Sequence, residues 1–270
     1  MTTQAGRPAP LAEMPRLQLA GLLTDIDDTL TTGGRLASST SRALERLRQA
    51  GLRIVPVTGR SAGWAHMILK TWPVDAVVAE SGGLYLARDE RGRLREVLHA
   101  PADEIARDRE RLLALTAGLL ARWPGLAPAS DNAYRRVDVA LDWCEEVEPV
   151  EAAIVAAATE CLRTAGYSAR ASSVHINAWA GSFDKAPMAL RCLRECWGVD
   201  AAQARAAWLF VGDAPNDASM FEAFPLSVGV ANIGPVLARL PVPPAWITEA
   251  SHGAGFEELA ERLLAAAPGA

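Results

Sequence analysis

Both ends of this chain alternate continuous apolar runs with helical periodicity. Leu17 to Thr24 is an apolar run that stops at a cluster of acids. Ser41 to Ala50 has helical spacing through Leu44 and Leu47, then closes at Gly51, a natural helix stop. Arg53 to Val57 is a short β-branched strand ending in Thr58-Gly59-Arg60. A helix from Ser61 to Thr71 gives way before Pro73, and Asp75 to Ala79 reads as another buried strand. The C-terminal third repeats the idiom. Lys185 to Trp197 is a helix, Ala207 to Val211 a strand ending in Gly212-Asp213, Asn216 to Ala223 a helix and Leu226 to Val230 a strand. Strand Ala245 to Thr248 and helix Gly255 to Ala267 follow. Apolar strands separated by helices predict a parallel sheet with both faces covered.

The middle of the chain has another rhythm. Helical spacing from Glu104 to Trp123 leads to Arg136 to Trp143, where Val137, Val139, Leu141 and Trp143 alternate with polar residues. A helix over Val150 to Ala165 precedes Ser172 to Trp179, which alternates again. Period-two strands with one apolar face predict an antiparallel sheet covered by helices on one side. The expected fold class is therefore α/β. A Rossmann-like parallel core over 16–85 and 185–270 carries an inserted α+β cap over 86–184, and residues 1–15, with three prolines in Met1 to Pro15, form a loose disordered tail.

Composition narrows the function. Twenty-seven basic against 32 acidic residues give a net charge of −5, which argues against a nucleic-acid or anionic-membrane binder. No stretch approaches the roughly 20 apolar residues of a membrane span, and the N-terminus has no apolar signal segment. Cys144, Cys161, Cys192 and Cys196 have no disulfide-framework spacing, and Cys192 and Cys196 sit one helical turn apart as core thiols. A reducing, cytoplasmic setting is expected.

Four short segments carry candidate chemistry, three of them at the carboxy end of a predicted parallel strand, where open α/β sheets bind ligands. In Thr24-Asp25-Ile26-Asp27-Asp28-Thr29, three carboxylates within four residues repel one another unless a cation offsets them. Thr58-Gly59-Arg60 offers a hydroxyl, a permissive backbone and a helix N-terminus, a ready phosphate cradle. Lys185 begins a helix. Gly212-Asp213-Ala214-Pro215-Asn216-Asp217 places two acids across a strand-to-helix turn. Taken alone, each has an ordinary reading: an Asx turn, a strand-ending Thr, a surface Lys, a helix-start acid. In this order on this strand pattern, they are hard to explain separately.

The set resembles the haloacid dehalogenase superfamily, with its Asp-x-Asp-x-Thr, strand-ending Thr, later Lys and Gly-Asp-x-x-x-Asp. The insertion resembles the C2-type cap of subclass IIB, which includes sucrose-phosphate and mannosyl-phosphoglycerate phosphatases. The resemblance implies a Mg²⁺-dependent phosphomonoester hydrolase forming a phospho-aspartate on a small phosphorylated metabolite, a sugar phosphate or phosphorylated sugar acid. Asp25 would be the nucleophile and Asp27 the general acid, then base. Thr58, Gly59, Lys185 and Asn216 would hold the phosphoryl group. Asp25, the Asp27 carbonyl and Asp213 would ligate Mg²⁺, with Asp217 holding a metal-bound water. The chain departs from the pattern at Glu80-Ser81-Gly82 (often Glu-Asn-Gly), Ala214 (commonly Ser) and Lys185-Ala186 (commonly Lys-Gly).

Two rival readings remain beside it. A phosphosugar mutase would use the same phospho-aspartate. A receiver-like phospho-acceptor would need an Asp at the end of the third strand, where this chain has Ala79-Glu80-Ser81. Within the cap, alternation opens the face of Ser173, His175, Asn177 and Trp179, and of Arg136, Asp138 and Asp142. With Arg60, the residues Arg136, Ser173, His175, Asn177 and Trp179 are the expected substrate contacts.

Overall fold

The computed structural model describes residues 7–172 and 174–265. Six parallel strands form its central sheet, in the order Ala9–Pro10, Trp246–Ile247, Ser227–Gly229, Trp208–Gly212, Gly21–Thr24 and Arg53–Pro56. A bridge from Val57 to Val78 leads to Ala76–Ala79, which begins an antiparallel meander with Leu84–Arg88 and Leu94–Leu98. The central strands are apolar on both faces because helices cover both. One layer packs Leu22, Ile54 and Leu209 with Leu44 and Phe256; the other packs Leu23, Val55 and Phe210 with Met188, Leu193 and Phe221.

The expected tail is corrected over residues 9–14. Ala9–Pro10 is an edge strand beside Trp246–Ile247, and Leu11 and Met14 are buried in the core. Proline suits an outermost strand because it need not donate to a neighbour there. Residues 1–6 of the expected tail lie outside the described residues. The boundary drawn at residue 86 also moves, since Leu86 lies mid-strand in Leu84–Arg88, paired with Val77 and Glu96.

After that meander comes a second sheet, antiparallel throughout, in the order Ser168–Ala171, His175–Trp179, Val139–Asp142 and Ala127–Pro128. Helices Ala102–Arg122 and Ala152–Thr164 cover one face, where Leu112, Leu119, Val155 and Leu162 pack on Val139, Leu141, Ile176 and Ala178. The opposite face, with His175 and Asn177, turns to the carboxy ends of the central strands.

Among the elements that the hydrophobic pattern missed, several have a plain local reason. Strand Leu94–Leu98 is half-exposed and lacks a clean apolar face. Hairpin Thr31–Thr32 with Arg35–Leu36 turns on Gly33 and Gly34, both at positive φ, as a two-residue hairpin loop requires. Helix Ala201–Ala207 carries a capping box between Asp200 and Gln203, a signal present in the sequence. No helix among the described residues is long and apolar enough to cross a membrane.

Candidate active site

Adjacent strands set the site. Gly21–Thr24 and Trp208–Gly212 pair in parallel register, so Asp25 and Asp213 leave the sheet side by side, with Thr58 following the next strand. Lys185 opens helix Lys185–Trp197, whose N-cap Asp184 accepts the Lys185 N–H at 2.7 Å. Gly82 lets that helix start approach. It sits at φ +99°, and a Cβ there would lie 2.1 Å from the Asp184 carbonyl oxygen.

The Lys185 ammonium donates to Asp25 Oδ1 and to Asp217 Oδ1, each at 2.7 Å. Burial works against that ammonium, but Asp217 and Asp25 outweigh it and hold its pKa above the ordinary value. The other Asp217 oxygen accepts the backbone N–H groups of Asp213 and Ala214. Asp213 accepts from the Thr29 hydroxyl on one oxygen and from Asn232 Nδ2 on the other, each at 3.0 Å. Asn232 also donates to the Asp28 carbonyl, pinning the turn after Asp27.

Carboxylate oxygens of Asp25, Asp213 and Asp217 lie within 4.8 Å of one another, and all three residues are buried. Burial pushes the Asp25 carboxyl well above the usual range against the pull of Lys185. It carries Asp213 up to about 8, with Asp217 adding to the shift. Three buried acids facing one ammonium need further positive charge, and an all-oxygen donor set suits a hard cation. The residues present therefore fit the expected metal.

Asp27 points elsewhere. Both its oxygens are taken by Arg60, whose Nε and Nη2 approach at 2.8–3.1 Å, and Arg60 Nη1 reaches Glu145 of the cap at 2.8 Å. The second Glu145 oxygen meets His175 Nε2 at 2.8 Å. The Thr58 hydroxyl accepts the Arg60 N–H at 3.0 Å. The Gly59 carbonyl accepts from Arg135 and Asn177. Asp25, Asp27, Arg60, His175, Asn177 and Asn216 line one narrow cleft between core and cap, and the buried Asn216 Oδ1 has no hydrogen-bond partner among the described residues.

Two expected substrate contacts are corrected. Arg136 is exposed and reaches toward Glu96, because its backbone N–H is drawn to Glu80 and its side chain turns outward. Trp179 is buried, stacked on Phe183 at 5.4 Å with Nε1 donating to the Phe183 carbonyl, so it packs instead of facing the cleft. Ser173 lies outside the described residues. Asp138 and Asp142, expected on an open face, are buried. Asp138 pairs with Arg135 and accepts from Asn177, while Asp142 accepts the N–H groups of Cys144, Glu145 and Glu146.

Sequence reasoning missed Glu80, Arg135 and Glu145. Glu80 is fully buried at the end of strand Ala76–Ala79 and accepts the backbone N–H groups of Ala62, Arg136, Val137 and Asp138. It therefore ties a core helix to the strand entering the cap sheet. Glu80 and Ser81 both take positive φ, a strained pair for non-glycine residues. With its carboxylate committed to backbone donors, Glu80 offers nothing to a receiver-type phosphotransfer. The signal for Glu80 was present in Glu80-Ser81-Gly82, but nothing local in the sequence marks Glu145.

Residues 22–107 match the haloacid dehalogenase-like hydrolase family. A phosphoglycolate phosphatase from Methanosarcina acetivorans is 26% identical over 249 residues, covering 92% of this chain and 97% of that protein. One from Pyrobaculum neutrophilum is 29% identical, covering 90% and 95%. Among solved structures, a Thermoplasma acidophilum protein superposes with a TM-score of 0.68 at 15% identity, covering 91% of this chain and 98% of that one. The sucrose-phosphatase of Synechocystis, solved with sucrose and phosphate, gives 0.61 at 18%, covering 93% and 98%. Residues 22–107 thus match the haloacid dehalogenase-like hydrolases in sequence, and most of the chain shares the fold of those solved structures.

Proposed function

We propose that this hydrolase is a Mg²⁺-dependent phosphomonoesterase that works through a phospho-aspartate on Asp25 and acts on a small phosphorylated metabolite. The observation that carries the reading is the cluster of Asp25, Lys185, Asp213 and Asp217, in which a buried ammonium holds the candidate nucleophile in place. The relatives named phosphoglycolate phosphatases, alike over nearly their whole length, make phosphoglycolate the first candidate substrate, ahead of sugar phosphates.

Phosphoryl transfer asks a protein mainly for in-line positioning and charge stabilisation. An Asp25 oxygen attacks phosphorus, the bond to the leaving oxygen breaks, and that oxygen takes a proton from Asp27. Lys185 neutralises a phosphoryl oxygen and holds Asp25 in line. The Thr58 hydroxyl accepts from Arg60 and donates its own proton to the phosphoryl group. Asp25, the Asp27 carbonyl and Asp213 would hold the cation, while Asp217 fixes the turn and Lys185. The bound metal supplies charge neutralisation at the phosphoryl oxygens. In the second half Asp27 takes a proton from water, which splits the acyl phosphate and frees Asp25. Arg60 must release Asp27 for either proton transfer, since it holds both carboxylate oxygens.

Phosphate release from phosphoglycolate, a hexose phosphate and a phosphorylated sugar acid, with Mg²⁺ and with excess chelator, tests the proposal. Release that requires the cation is expected. Undiminished release in chelator, or isomerised ester without free phosphate, refutes it.

A further inference from the structure

Glu145 is bound the way a ligand carboxylate is bound. One oxygen sits on Arg60 Nη1 and the other on His175 Nε2, each at 2.8 Å, so a donor from the loop after a core strand and one from the cap sheet grip its two ends. Arg60 and His175 also line the cleft that holds Asp25 and Asp27. Both are more than nine-tenths buried, whereas the Glu145 side chain keeps 29% of its surface open to water. Glu145 lies in the stretch that follows strand Val139–Asp142, and the Asp142 carboxylate organises the backbone there. The receptor is thus buried and its occupant is tethered at the rim.

We propose that Arg60 and His175 form a subsite for a substrate carboxylate, and that Glu145 occupies it as an internal stand-in when no substrate is bound. This rests on the phosphomonoesterase reading and goes further, to the chemistry of the leaving group: a short hydroxy acid esterified with phosphate. Exchange of one carboxylate for another leaves neither donor orphaned, and Glu145 moves to water it already meets. A neutral alcohol phosphate brings no such replacement, and pulling Glu145 off would leave a buried guanidinium short of a partner. The His175 hydrogen bond, helped by Arg60 and opposed by burial, depresses the Glu145 carboxyl to about 2, so the occupant is an anion under any working condition. Arg60 grips Asp27 with its other arm, which sets the subsite one guanidinium away from the acid-base residue.

The plain alternative makes Glu145 a latch holding cap to core, and a latch treats all substrates alike. Steady-state kinetics of the full chain with Mg²⁺ separate the two, using phosphoglycolate and 2-hydroxyethyl phosphate, which differ in carboxylate against hydroxymethyl. Glu145→Gln weakens the internal competitor, so KM for phosphoglycolate is expected to fall by up to about tenfold, with the selectivity ratio over 2-hydroxyethyl phosphate rising. His175→Ala removes one donor and is expected to lower that ratio by roughly tenfold, the worth of one charged hydrogen bond. Free glycolate should inhibit Glu145→Gln more tightly than wild type. Equal changes on both esters in each variant, or an unchanged ratio, overturn the subsite. Wild-type enzyme that releases phosphate from a hexose phosphate but from neither of these esters overturns the subsite and leaves the hydrolytic reading standing; release from no phosphate ester overturns both.

Discussion

Lys185 Nζ stands 2.7 Å from Asp25 Oδ1, although 160 residues separate them in the chain and most of that interval builds the second sheet. The contact forms because the chain returns from the cap directly into helix Lys185–Trp197, whose first turn lies over Gly82 and beside the end of strand Gly21–Thr24. A buried ammonium is stable there only because Asp25 and Asp217 both accept from it.

Asp25→Asn should lower phosphate release by roughly three orders of magnitude or more, since the amide is nearly isosteric but is not a competent nucleophile. The check is turnover beside an unchanged far-UV circular dichroism spectrum. Retention of most activity by a folded variant would remove Asp25 from its role.

Asp213→Asn should shift a Mg²⁺ titration of activity to higher concentration more than Asp217→Asn does. The oxygens of Asp213 are engaged by neutral hydroxyl and amide donors, whereas Asp217 gives one oxygen to Lys185 and the other to backbone N–H groups. Identical titration midpoints for the two variants would contradict this division of labour.

Glu80→Ala should destabilise the fold by at least about 3 kcal/mol, because it strips the acceptor from four backbone N–H groups at the junction of the two sheets. Urea denaturation measures it. A loss under about 1 kcal/mol would mean that those donors find other partners.

The acid limb of stability carries a contribution from Glu145, whose carboxyl is depressed to about 2 in the folded chain by His175 and Arg60. A depressed acid stabilises above its unfolded value of about 4.3 and loses that contribution as pH falls toward the folded value. The gap in Tm between wild type and Glu145→Gln should therefore be largest above pH ~5 and close as pH falls from there toward ~2. A gap independent of pH across that range would contradict the pairing.

Gly82→Ala should lose both stability and activity, since the added methyl meets the Asp184 carbonyl and pushes away the helix start that carries Lys185. The two losses are read from Tm and from phosphate release by the remaining folded protein. A variant with wild-type turnover would show that Lys185 tolerates the shift.

The sequence by itself determined the elements and the acids of the cluster. Strand Gly21–Thr24 is apolar on both faces and stops at Asp25, and helix Lys185–Trp197 begins and ends where its spacing predicts, because these signals are local. The parity of His175 and Asn177 was legible too, since alternation fixes which face a strand residue takes. Parity says nothing about what covers that face. Trp179 shares it, yet Phe183 folds over the ring and keeps it from the cleft. Arg136 falls outward and Arg135 inward because Glu80, 56 residues away, draws in the backbone N–H groups beside them. Only the tertiary structure decided that Glu145 would lie between Arg60 and His175. Ion pairs between segments 85 residues apart leave no periodic trace in a sequence, because they depend on where two sheets come to rest and not on the spacing within either one.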